Sequence, residues 1–206
     1  MRLSILCFSM LLLLPGVCSY TLAADKHLPI STLEAEAKRF QLNQNPQTHY
    51  QMTITIKDAP GPFESINAFA SYQAPNCTFQ HGGIAAATSH PDKDIPMKFI
   101  KIADDKYQSD FYVDAIKDED YYGQGVCKWV FEGVSVAFSA KNPKTDTWFD
   151  ASVTPKDLVS NKREYNHLKS YYPTREKFSG YVSRGLNKEI FKPSEYFTMN
   201  IDVKKI

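Results

Sequence analysis

Apolar and polar residues alternate with a period of two along much of this chain. Tyr50, Met52, Ile54 and Ile56 alternate with Gln51, Thr53, Thr55 and Lys57, the pattern of a strand buried on one face. The turn cluster Asp58-Ala59-Pro60-Gly61-Pro62 follows, and Phe63 to Tyr72 reads as a second strand. His81-Gly82-Gly83 and His90-Pro91-Asp92 mark loops. Strand patterns then recur at Met97–Ile102, Tyr107–Asp114, Val126–Ala140, Trp148–Val153 and Tyr196–Val203, with Asn142–Asp146 as a turn. Gly133 stands inside the longest of them, where a bulge or bend is expected.

Helical spacing is rarer. Ser31-Thr32-Leu33-Glu34 forms a capping box, and Leu33, Ala37 and Phe40 then recur at helical intervals. A short helix over Thr32–Leu42 is expected, covering a face or edge of a sheet. A second helical stretch is read between Asp157 and Tyr172. Seven or eight strands separated by Pro, Gly and Asp turns predict a mainly β, β-sandwich-like domain with a short N-terminal helix and some helix in the C-terminal third. Immunoglobulin features are missing: Trp129 follows Cys127 by two residues, and Gly125 stands where the corner tyrosine would be.

The first residues have a different character. Arg2 precedes an apolar run from Leu3 to Val17, and the small residues Ala23 and Ala24 stand before Asp25-Lys26. Basic start, apolar middle and small-residue exit predict a secretory signal over residues 1–24, followed by one β-rich domain over 25–206. The run is shorter than the ~20 residues a membrane span needs. Membrane association would instead require lipidation of Cys18, where Val17 replaces the usual small preceding residue. Without the leader the chain carries 23 basic and 23 acidic residues, so no nucleic-acid partner is indicated and recognition must rest on shape and local charge. The chain's 12 Tyr and 13 Phe suit strands and protein-binding surfaces.

Cys77 and Cys127 are the two cysteines that remain after such a cleavage. In an exported chain they are expected to form a disulfide, tying two strands across the sandwich. The chemistry otherwise expected of an enzyme has no motif here. There is no Gly-x-Ser-x-Gly, no phosphate-binding glycine loop and no paired-histidine spacing among His27, His49, His81, His90 and His167. No cofactor, metal or catalytic residue is therefore assigned. Asn76-Cys77-Thr78 matches a glycosylation sequon, a pattern that arises often by chance.

The densest feature is the run from Asp118 to Trp129. Calcium is one reading, through Asp114, Asp118 and Asp120, but the order of an EF-hand loop is missing. A solvated turn is another. The third is a partner-binding loop built from Asp118, Glu119, Asp120, Tyr121 and Tyr122, in which tyrosines supply area and carboxylates supply steering.

The segment Asp118-Glu119-Asp120-Tyr121-Tyr122-Gly123-Gln124-Gly125-Val126-Cys127-Lys128-Trp129 resembles exported proteins encoded beside type VI secretion effectors, notably phospholipase effectors. Pro75-Asn76-Cys77 and the leader suit the same group, and the likeness extends over Phe63 to Ala140. The resemblance implies a periplasmic immunity protein that binds a cognate toxin of the phospholipase or lipase kind and occludes its active or membrane-facing surface without catalysis. A periplasmic enzyme or small-ligand-binding protein is the alternative.

Overall fold

The computed structural model describes residues 39–80, 88–175 and 180–206. The expected leader, most of the helix expected from Thr32, and His27 and His81 lie outside the described residues. Two five-stranded sheets face each other across an apolar core, which makes the domain a β-sandwich. In chain order the strands are β1 (His49–Lys57), β2 (Ser65–Gln73), β3 (Phe79–Gln80), β4 (Thr88–Ser89), β5 (Asp92–Pro96) and β6 (Ile100–Ala103). They continue as β7 (Lys106–Tyr112), β8 (Val130–Ser139), β9 (Trp148–Val153), β10 (Lys162–Leu168), β11 (Val182–Ser183) and β12 (Tyr196–Lys205). The first sheet has the order β10-β12-β1-β7-β6, the second β11-β9-β8-β2-β5, and β3 pairs with β4.

The alternation read from sequence is what builds the core. Met52, Ile54 and Ile56 of β1 point inward beside Met199, Ile201 and Val203 of β12, their antiparallel register partners. Ala68, Ala70 and Tyr72 of β2 and Val134, Val136 and Phe138 of β8 close the opposite side. Phe63 packs edge-on against Phe138, Phe149 and Tyr172. Each such ring pair adds about 0.5–1.5 kcal/mol beyond the area it buries. Tyr72 ties the layers directly, its hydroxyl donating to the Tyr112 carbonyl of the other sheet.

Gly133 does sit at a bulge: Ser71 pairs with Gly133 and Tyr72 with Phe131, which leaves Glu132 unpaired. Its φ of +154° and the Val153 carbonyl, 2.5 Å from where a Cβ would stand, exclude a side chain.

Several boundaries differ from expectation. The stretch read as helical from Asp157 is a single turn, α1 (Asp157–Ser160), ended by Asn161 in the left-handed conformation. The chain then becomes strand β10, pairing with β12. Charged residues hid this strand, because its buried positions are the polar Asn166 and His167. β5, which starts at the end of the loop expected at His90-Pro91-Asp92 and is not among the expected strands, pairs with β2 as a sheet edge, where proline and charge are tolerated. The alternation at Met97–Ile102 marks a core-facing side only at Met97 and Phe99, which are partly buried, whereas β6 itself is the other sheet's edge and is exposed throughout. The expected helix does not reach Leu42: past Arg39 the chain is extended, and Leu42 bridges to Ile116.

Cys77 and Cys127 form a disulfide. It does not cross the sandwich. Cys77 follows β2 and Cys127 precedes β8, neighbours within one sheet, so the bridge joins the two segments that continue those strands. Among the described residues no helix is long and apolar enough to cross a membrane.

Candidate functional site

The segment between β7 and β8 folds into a small hairpin above the end of the second sheet. Its backbone closes on itself where Glu119 bridges Cys127, with the Cys127 N–H donating to the Glu119 carbonyl at 3.0 Å. Residues 41–43 run antiparallel along its outer arm: Asn43 N–H donates to Ala115 O and Lys117 N–H to Gln41 O, both at 2.9 Å. Gly123 and Gly125, with φ of +70° and +93°, form the tip, and both are glycine because side chains rarely adopt that conformation.

Three devices hold the inner arm against the end of β2. The first is the disulfide. The second is Asn76, whose amide donates to Val126 O at 2.9 Å and accepts from Lys128 N–H at 2.7 Å. The sequon asparagine is thus a clamp. The third is Gln124, whose amide donates to Thr78 O at 3.0 Å. In the chain-entropy model, closing a loop across the 50-residue cysteine separation stabilises by about 4 kcal/mol. Here that constraint acts where the hairpin meets the sheet.

The structure brings all five expected contact residues into this hairpin, but it uses most of their side chains internally. Tyr121 packs edge-on against Phe40 at 5.2 Å between ring centres, and its hydroxyl donates to Lys117 O at 2.7 Å. Tyr122 stacks on Phe79, with the Arg39 guanidinium 4.9 Å from its ring centre. Phe40 also meets Trp129 edge-on at 4.7 Å. The tyrosines are therefore half-buried parts of an aromatic cluster that fastens three chain segments together.

The acids serve the backbone. Asp118 accepts from the Trp129 N–H and from Lys128 Nζ, each at 3.0 Å. Asp120 accepts from the N–H groups of Tyr122 and Gln124. Desolvation pushes the Asp120 carboxyl up, but the turn's N–H groups outweigh it and hold the pKa below the ordinary carboxylate value. Glu119 pairs with Lys117 at 3.1 Å. Asp114 is drawn away to Gln47 and Thr48 N–H at 2.8 and 2.9 Å, so it does not converge with Asp118 and Asp120 on a shared ion. Among the described residues no group of three His, Cys, Asp or Glu is arranged to hold a metal.

What the hairpin and its flanks present outward is different and was missed in sequence: the exposed apolar side chains Leu42, Val126 and Val130, with Lys117 and Lys128 nearby. Their accessibility could be read only once the register placed the tyrosines inward.

One nucleophile–base contact is assembled among the described residues, and sequence reading did not foresee it. Ser183 Oγ lies 2.9 Å from His167 Nδ1. Its chemistry is structural. His167 is fully buried between Phe149 and Phe197, Ser183 is also buried, and the ring's Nε2 has no hydrogen-bond partner. A catalytic pair needs an accessible oxygen and an orienting acid on the second nitrogen, and this pair has neither. Burial pushes the imidazole pKa down to about 4, so the ring is neutral at pH 7.

Comparison with known protein families, curated proteins and solved structures returned no match to this chain.

Proposed function

We propose that this protein is an exported immunity protein that binds a toxic effector in the periplasm and neutralises it by covering its active or membrane-facing surface. The effector is of the type VI secretion class, notably a phospholipase. The observation that supports this reading is the pinned hairpin. A disulfide, two side-chain clamps and an aromatic cluster fix residues 117–129 before any partner arrives, which lowers the ordering cost of association. Apolar Leu42, Val126 and Val130 supply contact, and the surrounding charges set orientation and rate. The disulfide is consistent with an oxidising compartment. An occluding interface would bury on the order of 1,600 Å² or more in total.

The test is co-production of the full chain, leader included, with each effector encoded beside its gene and directed to the periplasm. Survival and a co-purifying complex are expected with one of them. Killing that the chain never relieves, with no complex formed, would remove the proposal.

A further inference from the structure

The two outer faces of the sandwich are chemically unlike. On the first sheet, β1 and β12 turn outward Gln51, Thr53, Thr55, Thr198, Asn200 and Asp202, an all-polar surface suited to solvent. That first face carries a wide, charged depression at Lys57, Lys162, Arg163 and Glu164, whereas the second sheet carries a half-open pocket of about 370 Å³ on its outer side. The small residues Ser135, Ala137 and Ser152 form its floor, and Phe69, Trp148 and Tyr165 form its walls. That volume falls in the range of small-molecule sites, roughly 300–1,000 Å³.

Two charges share this cavity. The parallel register of β11 on β9 sets Ser183 beside Phe149, so the next residues, Arg184 and Asp150, stand side by side on the outer face. Asp150 is half-buried on a strand that is not at the sheet edge, while Arg184 is exposed at the rim. Among the described residues neither side chain makes a hydrogen bond, and no ion pair within 4.0 Å joins them. Burial raises the Asp150 carboxyl above its ordinary value, with Arg184 acting in the opposite direction. Neither Asp150 oxygen is sealed from solvent, so the carboxylate is open to a ligand group that enters the pocket.

The walls are already set. Trp148 Nε1 donates to the Pro143 carbonyl, and Tyr165 shares a 2.7 Å hydrogen bond with Ser152. Aromatic faces beside a carboxylate favour an ammonium, and a guanidinium favours a carboxylate or phosphate.

We infer that this cavity binds a small zwitterion, its ammonium toward Asp150, its anionic group toward Arg184 and its apolar part against Phe69 and Trp148. An apolar α-amino acid and a zwitterionic phosphodiester-type headgroup share this chemistry. The site lies roughly 17 Å along β8 from the hairpin, the distance from Val130 to Ser135 at ~3.3 Å per residue. It stands independently of the neutralisation reading.

Calorimetric titration of the purified protein at pH 7 separates the sources, using L-leucine and the phosphodiester glycerophosphoethanolamine as zwitterionic probes and n-butylamine and butyrate as singly charged controls. One zwitterion is expected to bind, and both controls at least about tenfold more weakly, a difference of about 1.4 kcal/mol. Asp150→Asn and Arg184→Gln are each expected to lose a similar factor, and Ala137→Phe to fill the cavity and abolish binding. All three variants are expected to retain neutralisation. No heat from either zwitterion, or controls that bind as well as the zwitterions, would overturn the inference without reference to any variant. Wild-type affinity in Asp150→Asn and Arg184→Gln would overturn it equally.

Discussion

Acid is expected to weaken this fold through one imidazole before it reaches the carboxylates. In the unfolded chain His167 titrates near 6.5, while in the folded chain burial lowers its pKa to about 4, the Asp150 backbone offsetting only part of that shift. Between those values the unfolded chain binds the extra proton. The stabilisation is therefore complete above pH 6.5, declines as pH falls, and is gone below about 4. At about 1.4 kcal/mol per pH unit, the shift corresponds to about 3 kcal/mol. That is a large share of the 5–15 kcal/mol typical of a domain. The control is the double variant His167→Leu with Ser183→Ala, which removes both partners of the 2.9 Å hydrogen bond and leaves no orphaned hydroxyl. Urea denaturation followed by circular dichroism at steps from pH 7 to pH 4 measures both proteins. Wild type should lose about 3 kcal/mol more than the variant over this interval. Parallel curves would refute the argument that a neutral imidazole is locked in the core.

Three further substitutions test other parts of the structure. Gly133→Ala forces a Cβ toward the Val153 carbonyl in a backbone region rarely open to side chains, so a loss of about 1–3 kcal/mol is expected, and an unchanged urea midpoint would contradict the bulge. Replacing Cys77 and Cys127 together by serine should cost up to about 4 kcal/mol in the same assay, and it should raise amide exchange across 117–129 first, an order that uniform exchange would exclude. Asp157 accepts from Thr154 N–H and hydroxyl and from Arg163 at 2.7–2.8 Å. Burial raises its carboxyl, but these bonds outweigh that effect and hold the pKa below 3.8, so their stabilisation is present above that value and is lost as pH falls through the folded pKa. Asp157→Ala should cost about 1–3 kcal/mol at pH 7, and a neutral result would mean the turn holds without it.

Strands that bury one clean face were legible in sequence. β9 matches its expected limits at Trp148 and Val153, and β1 and β12 emerge from uninterrupted alternation. β10 was not legible, because its two buried positions are the adjacent polar residues Asn166 and His167, one on each face, whose partners Thr198 and Ser183 lie 32 and 16 residues away. Polar groups satisfied by distant partners look like surface residues until those partners are known. The cysteine pair was legible, but its placement was not, since spacing alone cannot distinguish neighbouring strands of one sheet from strands of opposed sheets. In the hairpin the expected residues are all present, yet their composition could not reveal that Phe40 and Phe79 would draw the tyrosines inward. The outer-face cavity had no sequence signal, because Asp150 and Arg184 meet only through the parallel pairing of β9 with β11.

The central claim is that a fixed surface at residues 117–129 binds another protein. Its most direct test is a calorimetric titration of the purified chain with the effector it is proposed to neutralise, wild type against Val126→Arg. Val126 is exposed, so the substitution should leave the fold intact. The expected result is a tight wild-type complex weakened at least about tenfold by the variant. Equal affinity for both proteins, or turnover of a substrate by the chain alone, would contradict the account.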